Sequence, residues 1–250
     1  MRKTRLATLV SAALLATACS SDPAPPATPR TTQPPSASPS TVTPTPNPYD
    51  SLSTTELGSR LLEAAARGRT TEVSQLLDAG ARTEVRDGRR RTPLLLAVTR
   101  DRVGAARALV KAGADPDALD DRHDTPWLVT GVTGSVAMAK VVLEADPDLT
   151  IRNRFGGLSH IPASERGHDD YVAYVLDHTD IAVDHVNDLG WTALLEAVIL
   201  GKGTRPWQRI VESLVDHGAD VSIADRAGVT PLEHARRRGH AAIARILERA

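Results

Sequence analysis

The chain has 250 residues, 30 basic against 31 acidic for a net charge of −1, and is 41% hydrophobic but only 3% aromatic. A balance so close to neutral leaves no general basic footprint for nucleic acid, and a core so poor in aromatics has to be built from Ala, Leu and Val, which suits small, closely spaced helices. The single cysteine, Cys19, excludes a disulfide framework.

Arg2, Lys3 and Arg5 precede an apolar run from Leu6 to Ala18 that is too short to span a bilayer and has the form of a secretory leader. It ends Leu15-Ala16-Thr17-Ala18-Cys19, which resembles a bacterial lipobox, with Ala16 in the slot where Leu is more usual. The expectation is a lipoprotein-type signal peptide over residues 1–18, with Cys19 lipidated as the mature N-terminus. An ordinary signal peptide with an incidental Cys is the alternative. Acyl chains contribute about 0.8 kcal/mol per buried methylene, so two or three of them on Cys19 hold a protein at a membrane.

From Ser20 to Pro48 there are ten prolines and eleven Ser or Thr residues. Such a stretch cannot form a core and favours polyproline II at about 3.1 Å per residue, so roughly 30 residues reach up to about 90 Å. Residues 19–55 are read as a disordered Pro/Ser/Thr-rich tether, a plain spacer that O-glycosylation would also suit.

Beyond it a phrase recurs: Thr92-Pro93-Leu94, Thr125-Pro126-Trp127 and Thr230-Pro231-Leu232. Steps of 33 residues run Pro93, Pro126, Ser159; Ala193 follows one residue late, and Pro231 comes 38 after it, so the fifth repeat carries extra residues around Gly201–Trp207. A second landmark keeps the same beat, in Gly80-Ala81, Gly113-Ala114-Asp115 and Gly218-Ala219-Asp220. Thr caps a helix start, Pro fits its first turn, and Gly accepts the left-handed conformation after its end. Apolar stripes such as Val172, Val175, Leu176 mark the second helix of each unit.

These residues resemble the ankyrin repeat family, whose pattern runs Gly-x-Thr-Pro-Leu-His-x-Ala, then Gly-His, then a helix ending in Gly-Ala-Asp. The resemblance implies an all-α repeat solenoid over residues 56–250, with about six stacked helix-turn-helix repeats and hairpin-like fingers. The repeats fall at about 56–86, 87–119, 120–152, 153–186, 187–224 and 225–250. The first repeat has Ser59-Arg60 where Thr-Pro is expected, the fourth has Leu158-Ser159, and the last repeat has an arginine-rich outer face that includes Arg237, as solenoid caps require.

The family binds partners on finger tips and first helices. Mapped residue by residue, that surface includes Arg89, Arg91, Arg122 and Asp124 in repeats two and three. Repeat four contributes Arg154, Phe155, Glu165 and Arg166. Repeats five and six contribute Leu189, Trp191, Val229 and Arg237. Phe155, Leu189, Trp191 and Val229 form a candidate contact patch flanked by arginines, or else pack finger against finger. Glu196 occupies a first-helix slot where the family has an apolar residue, so it is a candidate buried carboxylate, either a functional group or a structural hydrogen-bond acceptor. Trp207 either makes the inserted loop a binding element or folds back over Ile210 and Ile199.

No His pair has a recognised metal spacing, and no phosphate-cradling loop, nucleophile elbow or paired-carboxylate signature occurs, so neither cofactor nor metal is expected and the chain is read as non-enzymatic. The leading expectation is a monomeric, membrane-tethered, extracytoplasmic module that docks, scaffolds or regulates another envelope protein. A receptor for an anionic envelope polymer or peptide, and an enzyme centred on Glu196, are the alternatives.

Overall fold

A computed structural model describes residues 46–250, so the residue 1–18 leader, Cys19 and most of the tether lie outside the described residues. The described residues form twelve helices and no strands. They pair as α1 (Thr54–Arg67) with α2 (Thr70–Asp78), α3 (Pro93–Thr99) with α4 (Val103–Lys111), and α5 (Pro126–Thr133) with α6 (Val136–Leu143). The series continues with α7 (His160–Arg166) and α8 (Asp169–His178), α9 (Ala193–Ile199) and α10 (Arg205–Asp216), then α11 (Pro231–Arg237) and α12 (Ala241–Leu247). First helices stack on first helices and second on second, which gives two layers with one continuous apolar seam between them.

Local chemistry explains the repetition. Thr92, Thr125, Thr192 and Thr230 each accept, through the side-chain hydroxyl, the backbone N–H three residues on, so every such helix starts on a satisfied donor. Between pairs, the fingers are tight turns. Asp87, Asp120, Asn153, Asn187 and Asp225 each use one side-chain oxygen to accept the N–H groups two and four residues on. The fourth turn residue has positive φ, and it is glycine in three fingers but Arg90 and His123 in the other two.

Three features depart from the sequence reading. The helical domain extends further toward the N-terminus than residue 56: α1 is 14 residues long, and its capping box joins Ser53 to Glu56, so the Ser59-Arg60 slot lies inside a helix. Ahead of it, Asn47 Nδ2 donates to the Gln75 carbonyl at 2.6 Å, and Tyr49 and Leu52 pack on the core. In repeat four, Ser159 is helical and caps nothing, and its carbonyl stands where a Cβ on Gly131 would be 1.8 Å away. That glycine lets repeats three and four approach without the Thr-Pro start. In repeat five, part of the insertion lengthens α10 to 12 residues, and Trp207 on that helix is buried. Its indole N–H donates to the Glu165 carbonyl at 3.2 Å, and its ring covers Gly167 and Gly201. Trp207 is therefore a brace between repeats four and five rather than a binding loop.

Candidate functional site

Because first helices stand side by side, their outward faces and the neighbouring finger turns form one continuous surface. Across repeats two to four that surface deepens into a groove of about 290 Å³. Leu95, Val129, Val132 and Pro162 supply its apolar lining, and Phe155 stands at its edge with 56% of its surface exposed. Five arginines, Arg89, Arg91, Arg122, Arg154 and Arg166, face three carboxylates, Asp120, Asp124 and Glu165.

Several of these charges are already committed. Arg91 grips the Asp87 carboxylate with two bonds of 2.9 and 2.7 Å. Asp120 is spent on the finger amides of Arg122 and Asp124. Arg154 lies 3.4 Å from Asp124 and also stacks over the Phe155 ring at 4.4 Å, which fixes that ring on the surface. Burial pushes the Asp124 carboxyl above its usual range, and Arg154 pulls the other way. Arg89, Arg122 and Arg166 form no ion pair among the described residues.

The groove thus gathers Arg89, Arg91, Asp124, Phe155 and Arg166 from the mapped surface, and leaves others outside. Leu189 is 53% exposed on the next finger, whose Asp188 amide donates to the Phe155 carbonyl at 3.0 Å, so the two apolar tips are neighbours beyond the groove. Trp191 is half-buried, and Arg237 is exposed at the end of α11. Val229 is a correction: only 9% of it is exposed, so it cannot belong to an open patch. In the same finger slot Arg91, Asp124 and Trp191 reach past the covering atoms to solvent, and the shorter valine does not.

Glu196 is buried, with 5% exposed, and is not part of the groove. Its Oε1 accepts from Asn187 Nδ2 at 2.8 Å and its Oε2 has no partner. Burial is the chief cause of its pKa rising to about 7; the Asn187 bond opposes that, and the Glu165 charge adds to it. Asn187 lies nine residues before Glu196, and the same offset in repeat six gives Asp225 and His234, 2.8 Å apart. An amide faces the acid and an acid faces the imidazole, so each pair is complementary within its own repeat. This coupling was open to sequence reading, because the nine-residue offset is constant.

Three other histidines sit at repeat junctions. His168 packs over Gly134 and His240 over Gly203, while His160 is buried among the first helices. Among the described residues, no group of three or more His, Cys, Asp or Glu is placed to hold a metal ion, and no helix is long and apolar enough to cross a membrane.

The three-copy ankyrin repeats family model matches residues 160–249, and the single ankyrin repeat model matches residues 89–121. The ankyrin repeat protein YahD of Escherichia coli (strain K12) is 48% identical over 103 residues, 41% of this chain and 51% of that protein, so the match spans about half of that relative's length. Among solved structures, an ankyrin repeat domain from Acinetobacter baumannii AYE is 40% identical with a TM-score of 0.72, over 76% of this chain and 96% of that one. The ankyrin repeat protein EF0377 is 38% identical with a TM-score of 0.73, over 76% and 97% of the two chains. The ankyrin repeat domain of Bcl-3, a member of the IkappaB family, is 27% identical with a TM-score of 0.67, over 76% and 84%.

Proposed function

The chain belongs to the ankyrin repeat family, and from that premise we propose that it is a membrane-tethered, extracytoplasmic module that docks, scaffolds or regulates another envelope protein. Ankyrin repeats form a protein–protein interaction module, and the groove over repeats two to four is the observation that carries the reading to this chain. An arginine-stacked Phe155 held out in solvent beside uncommitted guanidinium groups has the composition of an interface hot spot. At about 290 Å³ the groove is at or below the low end of small-molecule sites, so it suits side chains presented by a larger partner. Membrane attachment rests on the lipobox-like sequence ending at Cys19, and the Pro/Ser/Thr-rich stretch after it supplies the reach.

The test is a crosslinking pull-down from membranes that compares the wild type with a Phe155→Ala/Trp191→Ala chain. One protein enriched by the wild type alone supports the reading. Enrichment that is equal for both chains overturns the surface, and no enrichment overturns the module. In the same cells, Cys19→Ala is expected to leave the membrane fraction, and retention as tight as wild type defeats the lipoprotein assignment. The uncommitted arginines also favour a second reading, an anionic envelope polymer as the ligand. For a catalytic role of Glu196, the structure sets only Asn187 and Glu165 against the carboxylate, a hydrogen-bonding and an electrostatic neighbour.

A further inference from the structure

We infer that the groove of repeats two to four receives an acidic peptide segment of the partner protein, with one apolar side chain seated between Val132 and Phe155 and carboxylates on Arg122 and Arg166. This rests on the protein-binding reading above and adds the chemistry of the partner.

The argument is one of charge left over. Among the groove's arginines, Arg91 is held by Asp87 and Arg154 by Asp124, while Asp120 accepts two finger amides through Oδ1 and keeps its charge. What remains for an incoming chain is Arg89, Arg122 and Arg166 against Glu165 and the second oxygen of Asp120, three cations against two anions. A basic or neutral segment would leave these guanidinium groups desolvated without partners, which is costly, whereas carboxylates meet them with charge-assisted, bidentate geometry. Glutamate and aspartate side chains can be spaced along an extended segment to meet arginines from successive repeats.

The apolar part argues for a peptide over a bare polyanion. Val132 is 36% and Phe155 56% exposed, and both border the same groove, which Pro162 and the buried Val129 also line. A polyphosphate-like polymer has nothing to place there, while a peptide carrying one aromatic or aliphatic residue among acids covers that surface and excludes water from the ion pairs.

The experiment is fluorescence anisotropy with the full chain and a short fluorescein-labelled peptide, a central Phe flanked on both sides by Glu and Asp. Saturable binding is expected, weakened about tenfold or more by Arg122→Gln/Arg166→Gln and by raised salt. Both arginines are exposed, so circular dichroism and melting are expected to be unchanged. The proposal is overturned if the Gln/Asn version of the peptide binds as well. It is also overturned if replacing the peptide's Phe by Gly has no effect and linear polyphosphate competes fully, because the site then reads anionic charge alone. If the acidic peptide fails to bind while the membrane pull-down still enriches a protein in a Phe155-dependent manner, the acidic chemistry falls and the module stands. Failure of both removes the module as well.

Discussion

Glu196→Gln removes a buried charge while keeping its shape, and the size of its effect follows from the surroundings of the carboxylate. The fold raises the Glu196 pKa from 4.5 to about 7, chiefly by burial. The folded chain therefore keeps a proton that the unfolded chain releases near 4.5. The resulting stability is fully present below that value, declines by about 1.4 kcal/mol per pH unit as pH rises, and is lost above about 7, for a total of about 3 kcal/mol. Gln accepts from Asn187 through Oε1 as Glu does, and places its amide where Oε2 already lacks a partner, so it imitates the protonated acid at every pH. The variant is expected to melt like the wild type at pH 4 and about 6–12 °C higher at pH 8, from the usual 2–4 °C per kcal/mol for a chain of this size. Thermal unfolding of both chains followed by circular dichroism from pH 4.5 to 8 isolates the group, because the contribution of His160, whose pKa is lowered to about 4, is common to the two chains and cancels in their difference. Wild-type and variant curves that run parallel between pH 4.5 and 7 would refute the assignment of a neutral, buried Glu196.

The acid limb belongs to His160, whose burial costs stability as pH falls from 6.5 toward about 4, so the advantage of His160→Leu over wild type in urea melts is expected to grow by about 2–3 kcal/mol from pH 6.5 to 4.5. Gly131→Ala drives a Cβ into the Ser159 carbonyl and is expected to cost at least about 3 kcal/mol, while Gly157→Ala, whose Cβ meets nothing nearer than 3.5 Å, is expected to stay within about 1 kcal/mol of wild type; equal urea midpoints for the two would remove the close approach of repeats three and four. Trp207→Ala is expected to lower stability by about 3–5 kcal/mol, and an unchanged melting temperature would free the insertion from its bracing role. Asn187→Asp sets two acids together, but combined with Glu196→His it reproduces the Asp225–His234 pair; a double-mutant cycle is expected to give about 1.5–3 kcal/mol of favourable coupling, and additivity would show that the two side chains do not interact.

The repeat architecture was legible because its signals are local. A Thr cap is satisfied three residues away, a glycine turn closes within its own helix end, and neither depends on a distant partner. The features that escaped sequence reading lie across repeats or compete locally. Trp207 is held by a residue 42 positions earlier, and no periodicity in repeat five indicates that Glu165 will accept its N–H. Ser59-Arg60 stands where the 33-residue register expects Thr-Pro, but Ser53-x-x-Glu56 satisfies two donors reciprocally and starts the helix earlier. That signal was present in the sequence and was hidden by the strength of the 33-residue beat.

The candidate surface divided for a physical reason that extends across the whole row of first-helix slots. Nine residues after each finger acid or amide stand Leu96, Val129, Pro162, Glu196 and His234. In repeats five and six the slot is polar and hydrogen-bonds inside its own repeat, to Asn187 and to Asp225, so those groups are engaged within the fold. In repeats three and four the slot is apolar, and Val129 and Pro162 line the groove, which leaves the nearby arginines without an internal acceptor on that row. Fixed dipoles and charges that find no partner within the fold are the ones free to select a partner outside it. On the proposed reading, recognition concentrates where the inner row is apolar and the outer row is cationic. Leu189 and Trp191, on the finger whose Asn187 bonds Glu196, extend the apolar rim at the Phe155 end without contributing charge.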